Sequence, residues 1–569
     1  MAYGYLGVDV FFVISGFLIT GIMYREAKEG RFSIVDFYLR RTRRIIPLVS
    51  FVCVVALVLG WFTMLPDDLE NLSQSVIATN FFSNNILQAF TTKNYWDVVN
   101  EYKPLMHTWS LGIEEQYYLL YPLVFISLGK KFVKWTAPVL AIMAVVSFVL
   151  FLLQDQEHKT FYLLPYRFYE LALGGILAIA LQRRLVLLRP LRLVAILVLI
   201  ASLIIDTTLI SDDVRLWISL LSTCSILATS NLSQDVSKLI MENGLMVFIG
   251  KISFSLYMWH QLVLAFVRCA VVDELNFANL SIVLLVTVLL SVFSYYLIEQ
   301  PFRKKNFIKT KYVLLLLGFT FIATNAVSFY IYSKAGVIRD VPELGLTTAD
   351  ARRGIHAVYN DQVRKHNVDF GEGDSASGKL KVLVCGDSFA RDWSNVLLES
   401  SYKDQIELSY VERPEQHPEL EQRAAQADLI FISKAEKESV RKMKIDESKL
   451  WAVGTKTFGS NNGIFYNYRG ENYHSQRAHA AQSFVELNEH FRSQFPDRFV
   501  DLMGKVIDDE HRVPVFTPDG RFISQDCRHF TIDGAKYFAK LFESEIGEIF
   551  DQVRNSASQA KEPALVPAQ

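Results

Sequence analysis

Long runs without charged residues are the feature that most restricts how this chain can fold. A helix needs about 20 apolar residues to cross a hydrocarbon core of ~30 Å. Such runs fill the first 334 residues, and charged residues crowd the remainder. The sequence therefore predicts a multi-pass α-helical membrane domain over residues 1–334. Its candidate spans, about ten in number, are 8–24, 45–64, 106–127, 135–154, 165–182, 191–206, 214–229, 253–271, 278–298 and 312–333.

The charges in the loops between these spans predict an orientation. Alternate loops on one side hold 21 Lys and Arg residues, whereas those on the other side hold three. Because basic loops stay in the cytoplasm, residue 1 and residues 335–569 are expected outside it. No signal peptide precedes the first span. A first residue placed outside the cytoplasm without a signal peptide favours the hypothesis that a further helix precedes Met1 in the full protein.

The remaining composition limits the class of function. Lys and Arg number 58 against 59 Asp and Glu, so the chain lacks the basic excess of nucleic-acid binders. The five cysteines show no metal-ligand spacing, and no metal site is expected. Cys385 and Cys527 both adjoin a candidate site; a disulfide and two separate thiols are both open.

Beyond the last span the pattern changes. Residues 335–378 are rich in Gly, Ser and charge, which is typical of a linker or extension. Strand-like and helix-like segments then alternate over 379–555, which predicts an α/β domain with a parallel sheet between helices. Residues 556–569 are expected to form a disordered tail.

Two motifs in the α/β region point to ester chemistry. In "KVLVCGDSFARDWS" a strand, a tight turn and a helix place Ser388 at a helix N-terminus. In "SQDCRHFTIDG" Asp526 and His529 precede an amphipathic helix. A serine hydroxyl needs a base, which His529 would supply with Asp526 orienting it. Each motif alone is also consistent with a capped turn or a surface loop.

In this order the two motifs resemble the SGNH (GDSL-type) esterase superfamily over about residues 379–550. The resemblance implies that Ser388, Asp526 and His529 are catalytic and that the Ser388 N–H serves the oxyanion.

The oxyanion residues that the superfamily adds match poorly. Ser433 stands where a Gly is expected, and Gly454, Asn461 and Asn462 are candidates for the second block. Membrane-fused members often carry His after the serine, where this chain has Phe389.

Several polar residues lie at the predicted membrane depth: Asp9, His107, Glu114, Glu115, Gln116, Arg167, Glu170 and His260. Charged groups within spans usually face a protein interior or an aqueous cavity. A structural role, such as pairing of Arg167 with a carboxylate, is the alternative for any single residue. As a cluster they favour a polar reaction or transport cavity.

Six motifs in order resemble the acyltransferase-3 family of membrane O-acyltransferases over residues 4 to about 306. They are "GVDVFFVISGFLIT", "FYLRRTRRIIP", "HTWSLGIEEQYYLLYPL", "RFYELALGG", "ISFSLYMWHQ" and "YYLIEQPFRKK". The resemblance implies a bacterial inner-membrane enzyme that O-acetylates envelope carbohydrates, including lipopolysaccharide O-antigen. Acetyl-CoA would be the donor, and no cofactor would be permanently bound. A subset with an added helix and a periplasmic SGNH domain is the one this chain resembles.

The resemblance also suggests roles in the membrane half. Basic side chains at the inner face would attract the CoA phosphates; positive-inside topology alone is the alternative. Glu114 would help to shape the acyl site. The family's catalytic Arg and His lie upstream of "GVDVFF", so its first helix is expected to be missing here, with His107 the first alternative base. The basic side chains are Arg40, Arg41, Arg43 and Arg44.

Three functions are consistent with these features. The leading hypothesis is a membrane O-acetyltransferase that modifies an envelope polysaccharide or a lipid-linked glycan, with acyl-CoA and the bilayer as its other partners. A membrane-anchored carbohydrate esterase is the second, and a transporter or scaffold with a catalytically silent external domain is the third.

Overall fold

The structure is a computed structural model that describes residues 4–91, 98–128, 131–183, 192–205, 210–229, 236–271, 275–349, 355–371, 379–459, 462–467 and 472–559. The chain divides into two compact units. The first comprises Met1–Gly60, Asn71–Val267 and Leu275–Phe329, and the second comprises Trp61–Glu70, Arg268–Glu274 and Tyr330–Gln569.

The first unit is helical wherever the structure describes regular elements. A short π-helical turn, Tyr295–Glu299, joins two of its helices. In chain order the helices are α1 Leu6–Lys28, α2 Ile34–Thr63, α3 Pro66–Asn80, α4 Asn84–Thr91, α5 Val98–Glu101, α6 Thr108–Leu128, α7 Phe132–Leu153, α8 Glu157–Tyr162, α9 Leu164–Gln182, α10 Arg192–Ile204, α11 Asp212–Thr229, α12 Val236–Met241, α13 Gly244–Ala270, α14 Phe277–Ser294, α15 Gln300–Arg303 and α16 Thr310–Ser333.

Each of the ten predicted spans coincides with one of these helices. Within the described residues, six helical stretches are long and apolar enough to cross a membrane, and α10 is apolar but shorter. This composition fits a helical membrane domain, while the number of crossings stays a prediction. The six stretches are Leu6–Lys28, Ile34–Thr63, Val133–Leu153, Leu164–Gln182, Phe277–Arg303 and Thr310–Ser333.

Helices α1 and α9 pack backbone against backbone. A Cβ on Gly16 would overlap the carbonyl of Leu171, and a Cβ on Gly174 would overlap the carbonyl of Val13. Small residues allow this close approach, which favours association of membrane helices through van der Waals contact.

An ion cluster joins the same two helices. Arg167 donates to Asp9 and to Glu170, each at 2.7 Å, and all three side chains are buried. The pairing of Arg167 with a carboxylate that the sequence allowed is therefore observed.

The second unit contains seven described strands: β1 Leu380–Gly386, β2 Ile406–Glu412, β3 Leu429–Ser433, β4 Leu450–Val453, β5 Arg477–His479, β6 Phe499–Val500 and β7 Arg512–Pro514. Five of them form a parallel sheet in the order β2-β1-β3-β4-β6. The other two, β5 and β7, form an antiparallel pair. The helices of this unit are α17 Ile355–Arg364, α18 Ser388–Glu399, α19 Leu420–Gln426, α20 Lys437–Lys442, α21 Gly463–Asn467, α22 Gln482–Gln494, α23 Ile532–Leu541 and α24 Glu543–Gln559.

Both faces of this sheet are buried, as its apolar strands predict. In register, Val382 of β1 pairs with Leu408 of β2 and with Leu429 of β3. One hydrophobic cluster contains Val382 and another contains its neighbour Leu383, so alternate side chains serve opposite faces. The predicted α/β architecture with a parallel sheet is observed.

The structure revises three predicted domain boundaries and answers one open question about the cysteines. The predicted linker 335–378 contains α17, whose Val363 belongs to the core of the second unit. Helix α24 extends to Gln559, so it enters the predicted tail, and 560–569 lie outside the described residues. Residues 61–70, predicted as the end of the span 45–64 and the start of the loop after it, belong to the second unit. Cys385 and Cys527 are buried free thiols rather than a disulfide.

Candidate functional site

The turn after β1 presents Ser388 at the start of a helix. Gly386 has φ of +135°, and a Cβ there would overlap the hydroxyl of Ser433. Asp387 caps α18 by accepting the N–H of Phe389 at 3.0 Å. Ser388 is the first residue of α18, where backbone N–H groups lack helical partners. This is the position that the motif predicted for a nucleophile with an adjacent oxyanion donor.

Asp526 and His529 form the predicted pair. His529 Nδ1 lies 2.6 Å from Asp526 Oδ2. The other carboxylate oxygen accepts the N–H groups of His529 at 2.8 Å and of Arg528 at 3.0 Å. The carboxylate therefore fixes both the ring and the loop, leaving Nε2 as the nitrogen that can act as a base.

The charges of this pair shift both pKa values. Asp526 is only partly screened from water, which raises its pKa, but the charge of His529 and the hydrogen bonds from His529 and Arg528 outweigh this effect and hold that pKa well below its usual range. Removal from water lowers the pKa of His529, but the charge and hydrogen bond of Asp526 outweigh it and raise that pKa. The imidazolium that forms when His529 takes a proton is thus stabilised.

Ser388 and His529 are connected indirectly, through the buried side chain of Asp392. Among the described residues the structure records no hydrogen bond between Ser388 and His529. Asp392 lies one turn after Ser388 on α18, and its carboxylate accepts the N–H of Phe530 at 3.0 Å. Hydrogen bonds between nucleophile and base are often long before substrate binds, so this arrangement remains compatible with a triad.

The candidate oxyanion residues of the middle blocks have other partners. Ser433 donates to the Asp387 carboxylate at 2.8 Å. The Gly454 N–H is used by the carbonyl of Val500 at 2.9 Å. Asn462 donates to the Ser524 carbonyl at 2.6 Å. Asn461 lies outside the described residues.

The first unit contains a cavity of about 560 Å³. Of the eight polar residues grouped from the sequence, His107, Glu114 and His260 line it, whereas Asp9, Glu115, Gln116, Arg167 and Glu170 do not. Glu114 accepts a hydrogen bond from Ser15 at 2.7 Å and another from Tyr118. These two hydroxyls anchor a buried carboxylate on the cavity wall.

His107 is held by aromatic contacts. Its ring centroid lies 4.9 Å from that of Tyr257 and 5.1 Å from that of His260. Neither ring nitrogen of His107 has a hydrogen-bond partner within the described part of the chain. Both ring nitrogens are themselves buried, so His107 contributes an unpaired imidazole to the cavity wall.

A second cavity of about 280 Å³ is lined mainly by cationic side chains. Arg41 and Arg44 line both cavities. The Arg41 guanidinium lies 4.6 Å from the ring centroid of Tyr118, which itself contacts Glu114. The cations that line the second cavity are Arg40, Arg41, Arg43, Arg44, Arg303 and Lys305.

The four arginines predicted at the inner face are not equivalent. Arg43 is buried and donates to the carbonyls of Phe302 and Ile308, each at 2.8 Å, so its terminal nitrogens are already used. Arg40 binds Glu26 at 3.1 Å. Arg41 and Arg44 are thus the two of the four best placed for an anion.

Comparison with known proteins supplies the family. A family model described as an acyltransferase domain, Acyl_transf_3, matches residues 2–299. The chain belongs to the acyltransferase-3 family. No solved structure is significantly similar to it.

Individual proteins with similar sequences extend the comparison. The O-acetyltransferase OatA of Staphylococcus aureus (strain NCTC 8325 / PS 47) is 30% identical over 327 residues, which are 53% of each protein. A provisionally named O-acetyltransferase of Staphylococcus aureus (strain COL) is 30% identical over 332 residues, again 53% of each. An uncharacterized protein of Haemophilus influenzae is 37% identical over 186 residues, covering 30% of this chain and 74% of that protein. The chain spans about half the length of the Staphylococcus relatives it matches.

Four residues of the acyltransferase-3 cavities escaped the sequence analysis. Arg303 and Lys305 lie in "YYLIEQPFRKK", a quoted family motif in which neither residue was given a site role, although its charge density was a usable signal. Ser15 and Tyr118 also lie in quoted motifs, but hydroxyl residues are common in apolar helices, and only the fold brings these two to Glu114.

Proposed function

We propose that this chain is a membrane O-acetyltransferase that moves an acetyl group from acetyl-CoA to hydroxyl groups of a cell-envelope glycan such as lipopolysaccharide O-antigen. Membership of the acyltransferase-3 family and the names of the Staphylococcus relatives support this class of reaction. The observation that carries it is the sharing of Arg41 and Arg44 by a cationic cavity and a mainly apolar one.

The two cavities suit the two ends of the donor. Arg41, Arg44 and Arg303 present planar guanidinium groups, which match phosphate geometry. The larger cavity accepts the apolar arm of acetyl-CoA and the thioester at the end of that arm. There Glu114 and His107 offer a carboxylate and an unpartnered imidazole, the groups that general acid–base chemistry needs.

The second unit would complete the route outside the cytoplasm. The bias of basic loops supports placing residues 335–569 on that side of a bacterial inner membrane. Ser388 Oγ attacks the acyl carbon of the donor while His529 Nε2 takes the serine hydroxyl proton. The bond between that carbon and the donor's leaving group breaks, and His529 passes the proton to the leaving group, which gives an acyl-Ser388 ester. A sugar hydroxyl then attacks that ester while His529 takes the sugar hydroxyl proton, and His529 passes this proton to Ser388 Oγ as the acyl–Ser388 bond breaks.

Acetate on surface polysaccharide tests this function. Cells lacking the gene are complemented with the full chain or with its Glu114→Gln variant, at matched membrane levels, and base-labile acetate is quantified. The expected result is acetate restored by the chain and lost in the variant. Unchanged acetate in complemented cells would rule out glycan acetylation.

Hydrolysis is the second candidate, and the Asp526–His529 hydrogen bond favours it. Water in place of the sugar hydroxyl would make the chain a membrane-anchored carbohydrate esterase. In the same cells an esterase lowers polysaccharide acetate, whereas a transferase raises it, so the sign of the change separates the two.

A further inference from the structure

A buried ion pair lies beside the loop that carries His529. Lys456 Nζ is 2.6 Å from Asp392 Oδ2, and both side chains are at most 1% exposed. Neither residue is assigned a role by the sequence motifs, although Asp392 lies within "KVLVCGDSFARDWS". Replacing a buried ion pair by apolar residues is often neutral or stabilising. Stability alone therefore does not account for two charges in this core.

The pair holds the backbone on both sides of His529. Lys456 donates to the carbonyl of Arg528. The N–H of Phe530 donates to Asp392 Oδ2 at 3.0 Å. The peptide groups that flank His529 are thus each bound by one member of the pair.

The same pair reaches the nucleophile helix. Asp392 lies on α18 four residues after Ser388, so the two share one helical face. Lys456 Nζ lies 4.3 Å from the ring centroid of Phe389, which directly follows Ser388, and 4.7 Å from that of Phe530. Cation–π contacts of this kind are strongest when the cation is desolvated. They also give Phe389 a role in this turn.

We propose that Asp392 and Lys456 are positioning residues that set how the His529 imidazole reaches the Ser388 hydroxyl, while Asp526 orients the ring. The pair connects the start of α18 to the backbone around His529 and touches neither the substrate nor the reacting atoms. This inference rests on the proposed function, in which Ser388 takes up an acyl group.

The experiment uses the full chain in detergent and a fluorophosphonate ester as the probe. Ser388 Oγ bonds to phosphorus, fluoride leaves with the electrons of the P–F bond, and His529 Nε2 takes the hydroxyl proton. The labelling rate is measured across the titration range of His529 for Lys456→Met, Asp392→Asn and the double variant, and Tm is recorded for each. Lys442→Met removes an ammonium from an exposed ion pair with Glu438 and is the matched control.

Each single variant is expected to slow labelling by about 100-fold, the effect of a small misplacement of a catalytic group. The midpoints of the pH profiles should move in opposite directions. The charged groups that act most on the pKa of His529 are Asp526, Asp392 and Lys456. Losing Lys456 leaves an unopposed carboxylate near His529 and raises the midpoint, whereas losing Asp392 leaves an ammonium and lowers it. The Lys442→Met control should label at the wild-type rate.

Wild-type rates and unshifted midpoints in the variants would overturn the inference, whatever happens to Tm. If the single variants fail to fold, the double variant decides, because it removes both charges together: slow labelling at a retained Tm supports a positioning role, and wild-type labelling refutes it. A wild-type chain that is not labelled, or a Ser388→Ala chain that is labelled equally, removes the Ser388 assignment itself and this inference with it. That failure is recognisable because it is seen before any positioning variant is compared.

Discussion

His529 depends on one short hydrogen bond, at 2.6 Å, for the tautomer that leaves Nε2 free as a base. The same contact raises the pKa of His529, because Asp526 stabilises the imidazolium. A base must be neutral to accept a proton, so the rate should rise with pH through that raised pKa.

Ester hydrolysis by the full chain should therefore show a midpoint above about 6.5, the ordinary pKa of histidine. Asp526→Asn should lower both the midpoint and the rate, since the stabilising charge is lost. The measurement is a pH–rate profile with a small acetyl ester. A midpoint that does not move in Asp526→Asn would contradict the role of the carboxylate.

Loss of the proposed nucleophile or of the proposed base should reduce the rate more severely. Ser388→Ala and His529→Ala should each reduce the rate by roughly 10⁴-fold or more, because the groups of a triad act as a unit. His490→Ala, at an exposed histidine of the same unit, is the control. Full activity in Ser388→Ala would show that another residue attacks the ester.

Arg44 is the residue of the cationic cavity to test first, because it lines both cavities. Arg44→Gln should raise the KM for acetyl-CoA by roughly 10- to 100-fold, as expected for a lost charge-assisted hydrogen bond. Arg31→Gln removes an exposed arginine that pairs with Glu29 and should leave KM unchanged. Equal KM values in both variants would exclude Arg44 from donor binding.

At the scale of elements, the contact between α1 and α9 leaves no room for a methyl group at Gly174. Gly174→Ala would press a Cβ into the carbonyl of Val13, and overpacking of this kind costs about 1–3 kcal/mol. Thermal unfolding in detergent should show a lower Tm. Gly21→Ala on α1 is the matched control, since its Cβ would meet Ala178 at an ordinary 3.6 Å. Equal Tm values for Gly174→Ala and the wild-type chain would mean that the added methyl group does not destabilise this helix contact.

The Asp9–Arg167–Glu170 cluster lies across the same two helices. Its ion pairs are fully enclosed, so breaking them by removing Arg167 would leave uncompensated buried carboxylates. The close contact of small residues and the ion cluster together hold α1 against α9. Because α1 also carries Ser15, this packing positions part of the cavity wall around Glu114.

At the scale of the whole molecule, the loop charges predict on which side each segment lies. Alkaline phosphatase fused after Gly336 should be active in intact cells, because the enzyme folds only outside the cytoplasm, and a fusion after Arg183 should be inactive. The bias of 21 basic residues to three is the reason. The reverse pattern of activity would overturn the orientation and the placing of the Ser388 site outside.

Much of both units could be predicted from the sequence because their signals are local. Apolar runs identify helices such as α2 and α16, and the β-branched run before Gly386 identifies β1. The Asp526–His529 pair could be predicted because its members are three residues apart. Short elements such as β5 and β7 were missed, since three residues carry too little periodicity.

What the sequence by itself determined is therefore the kind of each segment and the chemistry of adjacent residues: apolar helices, a parallel sheet, a serine at a helix start and a histidine near its carboxylate. Only the tertiary structure decided which distant groups meet. Arg43 became a structural donor to the carbonyls near α16, whereas Arg41 and Arg44 came to line both cavities. Asp392 pairs with Lys456, 64 positions later in the chain, and the two bind the peptide groups on either side of His529. The physical reason is that burial and charge pairing depend on packing between elements, which no local pattern of residues encodes.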